Sequence, residues 1–170
     1  MGYIYVYTGS GGGKTTNALG LDLRSVGHNH KVIIIQFMKW WKNIGEYKIR
    51  KKLSPYYKIY QFGRKGLIGL KNLNEKDKKL AKNGLSFAEK IMKKEKPNLL
   101  VLDEINLALY CKLLDVKDVI KLLKKIPKKT DVILTGRYAP KELIKRADFV
   151  NEIIDVKHPK KIQTTKGIQY

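Results

Sequence analysis

The chain is poor in acid, has almost no cysteine and lacks any long apolar run. Its 170 residues hold 15 Asp and Glu against 36 Lys and Arg, a formal net charge of +21 supplied mostly by lysine. Such a field attracts polyanions. A lysine-rich solvated surface of the heat-adapted kind, a nucleic-acid partner and a heavily phosphorylated small molecule are all compatible with it. One cysteine, Cys111, excludes an intramolecular disulfide and a cysteine-based zinc site, and fits a reducing intracellular setting. No apolar stretch approaches the roughly 20 residues of a bilayer crossing. The opening YIYVYT alternates like a strand, where a secretory leader would show a basic stretch and then an apolar run. A cytoplasmic protein without membrane association is expected. No internal repeat or low-complexity linker is visible, and the length suits one domain spanning 1–170.

What is present is an alternation of strand-like and helix-like segments. Residues 3–8 are β-branched or aromatic and end at a glycine run, after which Ala18, Leu19, Leu21, Leu23 and Val26 follow helical spacing up to Gly27. KVIIIQF (31–37) is a continuous apolar run of the kind buried on both faces of a sheet. Strands are expected again at 57–62, 98–103, 131–135 and 149–156, with helices at 75–95, 115–125 and 140–147. This order implies an α/β fold: a mostly parallel sheet of about five or six strands with helices on both faces. Residues 38–56 and 63–74 break the alternation with Gly, Pro, aromatic and basic residues. Active-site loops look like this, and so do ordinary basic surface excursions.

The stretch YTGSGGGKTTNALGL (7–21) places a strand, a glycine-rich loop and a helix beginning at Lys-Thr in succession. That is a device for holding phosphate. Backbone N–H groups of Thr8, Gly9, Ser10, Gly11, Gly12 and Gly13 and the helix N-terminus face the anion, Lys14 adds a point charge, and Thr15 and Thr16 follow, with the Thr15 hydroxyl able to ligate Mg²⁺. Gly9 and Gly13 are separated by three residues where the usual motif has four, with Thr8 in the first glycine's place. NLLVLDE (98–104) ends a buried strand in Asp103 and Glu104, which therefore emerge at the sheet edge where open parallel sheets bind ligands; beside a phosphate loop this is a magnesium-binding pattern. Arg137, after the strand DVILT, would emerge on the same edge, either to clamp phosphate oxygens or to pair with a surface carboxylate. His158 precedes proline in a structural-looking setting, and His28 and His30 fall at a helix end.

Taken together, TGSGGGKTTNALGLDLR, VIIIQFMKWWKNIGE, LLVLDEINLAL, VILTGRYAP, ADFVNEI, VKHP and the terminal KGIQY resemble the P-loop-type ATP:corrinoid adenosyltransferases, also called cob(I)alamin adenosyltransferases. Their order and spacing agree over most of the chain outside roughly 47–97, and the family's loop shares the shortened glycine spacing. The resemblance implies a single-domain P-loop NTPase (RecA-like) fold and transfer of the 5′-deoxyadenosyl group of ATP to a reduced Co(I) corrinoid, with triphosphate as the leaving group. It implies ATP and a corrinoid as substrates, Mg²⁺ or Mn²⁺ as the metal, an electron donor such as a flavoprotein reducing Co(II) to Co(I), a homodimer, and no nucleic-acid partner. Lys14, Glu104 and Arg137 would then serve the chemistry, Thr15, Asp103 and Glu104 the metal, and Trp40, Trp41 and Glu46 the corrinoid.

Three differences from the family accompany this. Gly12 stands where relatives usually carry lysine, GLIG (66–69) stands where they carry an aromatic segment under the corrin, and the tail between His158-Pro159 and Gly167 is short. With Leu67, Ile68 and Gly69 offering little ring surface, one of the two tryptophans, Trp40 or Trp41, is expected to line the corrinoid pocket. A RecA-like, nucleic-acid-stimulated ATPase is the main competing expectation; a P-loop nucleoside kinase and a non-catalytic nucleotide-binding module are the others.

Overall fold

The computed structural model describes residues 2–67 and 69–169. Ile68, named above for the corrin segment, and the terminal Met1 and Tyr170 lie outside the described residues. Six strands form one all-parallel sheet: β1 (Ile4–Thr8), β2 (Val32–Phe37), β3 (Tyr57–Phe62), β4 (Leu99–Asp103), β5 (Asp131–Thr135) and β6 (Phe149–Glu152), in the lateral order β3-β2-β4-β5-β1-β6. The helices are α1 (Lys14–Gly27), α2 (Gly45–Lys48), α3 (Glu75–Glu95), α4 (Ile105–Tyr110), α5 (Val116–Lys124) and α6 (Lys141–Arg146), with a 3₁₀ turn at Ile49–Lys51. The expected α/β class and parallel sheet are observed.

The two faces of the sheet bury different sets of side chains. Ala18 of α1 packs on Val32, Ile34, Val101 and Ile133. Ile91 and Met92 of α3, Ile105 and Ala108 of α4, Leu122 and Leu123 of α5 and Leu143 of α6 pack with Ile33, Ile35, Leu100, Leu102 and Leu134 on the opposite face. Successive strand residues alternate between these sets, as the two-residue period of a strand requires. All residues of β2 and β4 are buried, which explains the apolar runs 32–35 and 99–102; the polar Gln36 and Asp103 come only at their C-terminal ends.

Three local outcomes matter for the site. α4 occupies six residues that the sequence left within an unassigned stretch, and it follows Glu104, whose backbone is left-handed at φ 62°. The last strand ends at Glu152, four residues before the expected end at 156, because the chain leaves the sheet there to cross the phosphate loop. The Ile153 N–H donates to the Thr8 carbonyl at 2.9 Å, and the Gly11 N–H donates to the Ile153 carbonyl at 2.8 Å. α3 begins in a reciprocal cap: Asn74 accepts from the Lys76 N–H, and Asp77 accepts from the Asn74 N–H. Arg64 bonds the same Asp77 at 3.1 Å, which pins the irregular 63–74 segment against the helix start.

Candidate active site

β1 and β4 end on either side of β5 at one edge of the sheet, so the phosphate loop after β1, the carboxylates after β4 and Arg137 after β5 converge. A cavity of about 410 Å³ is lined by Gly11, Gly12, Gly13, Lys14, Thr15, Thr16, Gly69, Leu70, Glu104, Leu107, Arg137 and Tyr138. Lys14, Glu104 and Arg137, singled out separately in the sequence, therefore share one cavity.

The loop is held close against the segment that follows β6. Gly9 has φ 99°, and a Cβ there would stand 2.3 Å from the Ile153 carbonyl oxygen, so only glycine fits. The Gly12 N–H donates to Asp155 Oδ1 at 3.0 Å. Lys14 folds back on its own loop, its Nζ donating to the Gly9 carbonyl at 3.0 Å and to the Gly11 carbonyl. Burial, with the Arg137 guanidinium second, pulls the Lys14 ammonium below its ordinary range. Thr8 accepts the Ala139 N–H at 3.2 Å, and Ser10 is exposed.

Asp103 and Glu104 are adjacent in sequence but differ in role. Asp103 Oδ1 accepts from the Thr15 hydroxyl at 2.8 Å and the Thr135 hydroxyl at 2.7 Å, while Oδ2 accepts from Lys39 Nζ at 2.7 Å and Gln36 Nε2 at 3.0 Å. Burial alone would push its pKa up, but the Lys39 ammonium and these hydrogen bonds hold it below the usual carboxylate range. Its oxygens are thus fully engaged with protein donors. Glu104 carries no such bonds among the described residues; burial, with Asp103 second, raises its pKa, against the opposing pull of Lys39, Lys14 and Arg137.

Among the described residues no group of three or more His, Cys, Asp or Glu is placed to hold a metal ion. The Thr15 hydroxyl and the unengaged Glu104 carboxylate line the cavity together. These two fit a divalent cation whose other ligands are phosphate oxygens and water, the common arrangement for Mg²⁺.

Lys39 is the residue that sequence reasoning missed. Its side chain is 18% exposed and reaches both Asp103 and the Thr15 hydroxyl, the latter at 3.2 Å. Two backbone features send it there. Met38 is left-handed at φ 59°, and Gly63 lies so close that a Cβ on it would stand 2.5 Å from the Met38 carbonyl carbon and 2.6 Å from the Lys39 nitrogen. Neither feature has a sequence signature.

The tryptophans do not line the phosphate cavity. Trp40 packs against the core with its Nε1 buried and without a hydrogen-bond partner among the described residues, and Trp41, 43% exposed, lines a separate cavity of about 450 Å³ with Lys39, Asn43, Ile44, Glu46 and Gln169. Glu46 there also accepts from Gln36 Nε2 at 3.4 Å. Leu67 is buried in the core, while Gly69 and Leu70 reach the phosphate cavity. His158 is exposed and bonds its neighbour Pro159.

Comparison with known proteins identifies the family. A family described as ATP:corrinoid adenosyltransferase BtuR/CobO/CobP matches residues 1–170. The chain belongs to the ATP:corrinoid adenosyltransferases. It is 33% identical to a corrinoid adenosyltransferase of Sinorhizobium over 173 residues, covering 99% of this chain and 80% of that protein. It is also 33% identical to that of Escherichia coli K12 over 158 residues, covering 92% and 79%. A corrinoid adenosyltransferase of Salmonella typhimurium is 32% identical over 172 residues, covering 99% and 86%. These relatives give no support to a nucleic-acid-stimulated ATPase. The cavity is lined by the charged residues Lys14, Arg137 and Glu104 together with the glycine loop, and also by the uncharged Gly69, Leu70, Leu107 and Tyr138. No helix among the described residues is long and apolar enough to cross a membrane.

Proposed function

We propose that the chain transfers the 5′-deoxyadenosyl group of ATP to a Co(I) corrinoid. The observation that carries this reading is one cavity that brings together the glycine loop, Lys14, Glu104 and Arg137 with the uncharged Gly69, Leu70, Leu107 and Tyr138. The electron pair of Co(I) forms the cobalt–carbon bond at the 5′ carbon, and the carbon–oxygen bond breaks with its pair leaving on triphosphate. Co(I) is itself a strong nucleophile, so the protein's tasks are placement and charge.

The loop N–H groups bind the triphosphate. Lys14 turns from the Gly9 and Gly11 carbonyls to the phosphate oxygens, and Arg137 clamps them from the β5 side. Thr15 and Glu104 would hold a divalent cation, Mg²⁺ or Mn²⁺, which supplies further neutralisation of the departing charge. Asp103, held by its four donors, orients Thr15 and is not itself a ligand. The corrin approaches beside the uncharged Gly69 and Leu70, where the 5′ carbon must face it.

A cytoplasmic setting, a homodimer and a reductant such as a flavoprotein complete the proposal. The test is to incubate the protein with ATP, Mg²⁺ and chemically reduced cobinamide or cobalamin. The adenosylcorrinoid spectrum and stoichiometric triphosphate are expected; ADP and phosphate without adenosylated corrinoid would overturn the reading.

A further inference from the structure

Tyr138 combines three features that packing alone does not explain. Its backbone is left-handed at φ 59°, a conformation that disfavours a bulky side chain. The residue is 55% exposed, so little core burial offsets that strain. It also stacks on a second exposed ring, Tyr110, with centroids 4.2 Å apart and an interplanar angle of 29°. Backbone strain of this kind persists where the surroundings enforce it, and it clusters at ligand sites.

Its position is equally specific. Tyr138 directly follows Arg137, and both line the phosphate cavity. Tyr138 also lines a larger groove of about 1130 Å³ together with Tyr110, so its ring marks the way out from the phosphates toward that groove. The first group beyond the phosphates of a bound nucleotide is its nucleoside. A planar ring lining the same cavity as a phosphate clamp is suited to the face of a purine, since base-on-aromatic stacking needs only flat, exposed π surface.

We propose that Tyr138 is the nucleobase platform of this enzyme, with Tyr110 as the positioning residue that props its ring from the far side. The inference rests on the triphosphate lying in the loop after β1. Tyr138 then fixes the purine at the mouth of the cavity, leaving the ribose and its 5′ carbon between the phosphates and the residues Gly69 and Leu70.

Two ligands separate this claim from the one it rests on. ATP and inorganic tripolyphosphate are each titrated calorimetrically in the presence of Mg²⁺ against the parent, Tyr138→Ala, Tyr138→Phe and Tyr110→Ala. Stacking of one base corresponds to roughly a five- to 150-fold change in affinity. Tyr138→Ala is expected to lose ATP affinity within that range and to keep tripolyphosphate affinity. Tyr138→Phe should retain both, and Tyr110→Ala should show a smaller loss for ATP alone. Unchanged ATP affinity in Tyr138→Ala overturns the platform, and so does an equal loss for both ligands, which would mark a structural role. A parent that binds neither ligand refutes the phosphate-loop reading itself and removes this proposal with it.

Discussion

Asp103 and Asp22 are both sealed from water, one at the end of β4 and the other on α1 against the sheet, and their surroundings are opposite. Asp103 accepts from two hydroxyls, an amide and an ammonium. Neither oxygen of Asp22 has a partner among the described residues. The pKa of the first is held below the ordinary carboxylate range, whereas burial, with the Asp103 charge second, pushes that of the second well above it. The same buried chemical group is therefore pushed toward the anion in one region and toward the neutral acid in the other. What separates them is whether the fold delivers a cation. At the sheet edge it delivers Lys39, and behind α1 none of the described residues reaches the Asp22 carboxyl.

The largest expected effect comes from making Asp103 resemble Asp22. Lys39→Met removes the ammonium while keeping most of the side-chain volume, leaving a buried carboxylate with three neutral donors. Breaking a buried ion pair from one side costs about 3–5 kcal/mol. Urea unfolding at neutral pH should show a loss of that order, and Lys39→Met combined with Asp103→Asn should recover part of it, since the stranded charge is then gone. A single-mutant loss below about 1 kcal/mol would mean that Lys39 is an ordinary surface lysine.

Lys14 provides the contrasting cation, because among the described residues it forms an ion pair with no carboxylate and bonds loop carbonyls. Its value should appear in turnover. Lys14→Ala is expected to lower adenosylation by about 10²–10³, with circular dichroism and the urea midpoint close to the parent's. If stability falls with activity, or activity survives, the division between a stabilising and a catalytic lysine collapses. Glu104→Gln, measured by titrating Mg²⁺ into nucleotide-bound protein, should weaken the metal response more than Asp118→Asn does. Asp118 is an exposed first-turn residue of α5, whereas Glu104 lines the phosphate cavity.

The division also shows what could be read from sequence. The phosphate loop, Asp103, Glu104 and Arg137 were legible because each follows directly from a buried strand, and parallel strands all deliver their C-terminal residues to one edge. Lys39 follows β2 as well, but its direction depends on a left-handed Met38 and on the close approach of Gly63, twenty-odd residues on, neither of which has a local pattern. Tyr138 was quoted in the motif after β5 but carried no signal of strain or stacking. The tryptophans drew attention as paired large rings; Trp40 packs on the core, and Trp41 shares a second cavity with Glu46. Helix α4 escaped because six residues are too few for a helical period to emerge. The lateral strand order, which puts β5 between β1 and β4, is a tertiary fact that no single segment encodes.

Asp22 gives the smallest and most diagnostic effect. Replacing it with alanine removes two unsatisfied buried oxygens at little loss of apolar packing, and a buried polar group without a partner costs about 1–3 kcal/mol. Asp22→Ala should therefore unfold at higher urea than the parent at pH 7. The pH dependence fixes the cause. Because the folded pKa lies above that of the unfolded chain, the native state holds a proton that the unfolded state releases. This carboxyl favours folding most below its unfolded pKa of about 4, and that contribution is lost progressively as pH rises through the folded value. The stability gap between Asp22→Ala and the parent should consequently widen as pH rises above about 4 and level off once pH exceeds the folded pKa. Asp22→Asn, which cannot titrate but keeps the polar shape, should show the same loss of pH dependence with a smaller gain. A gap that stays constant across this range would mean that Asp22 does not titrate there, and the contrast with Asp103 would rest on packing alone.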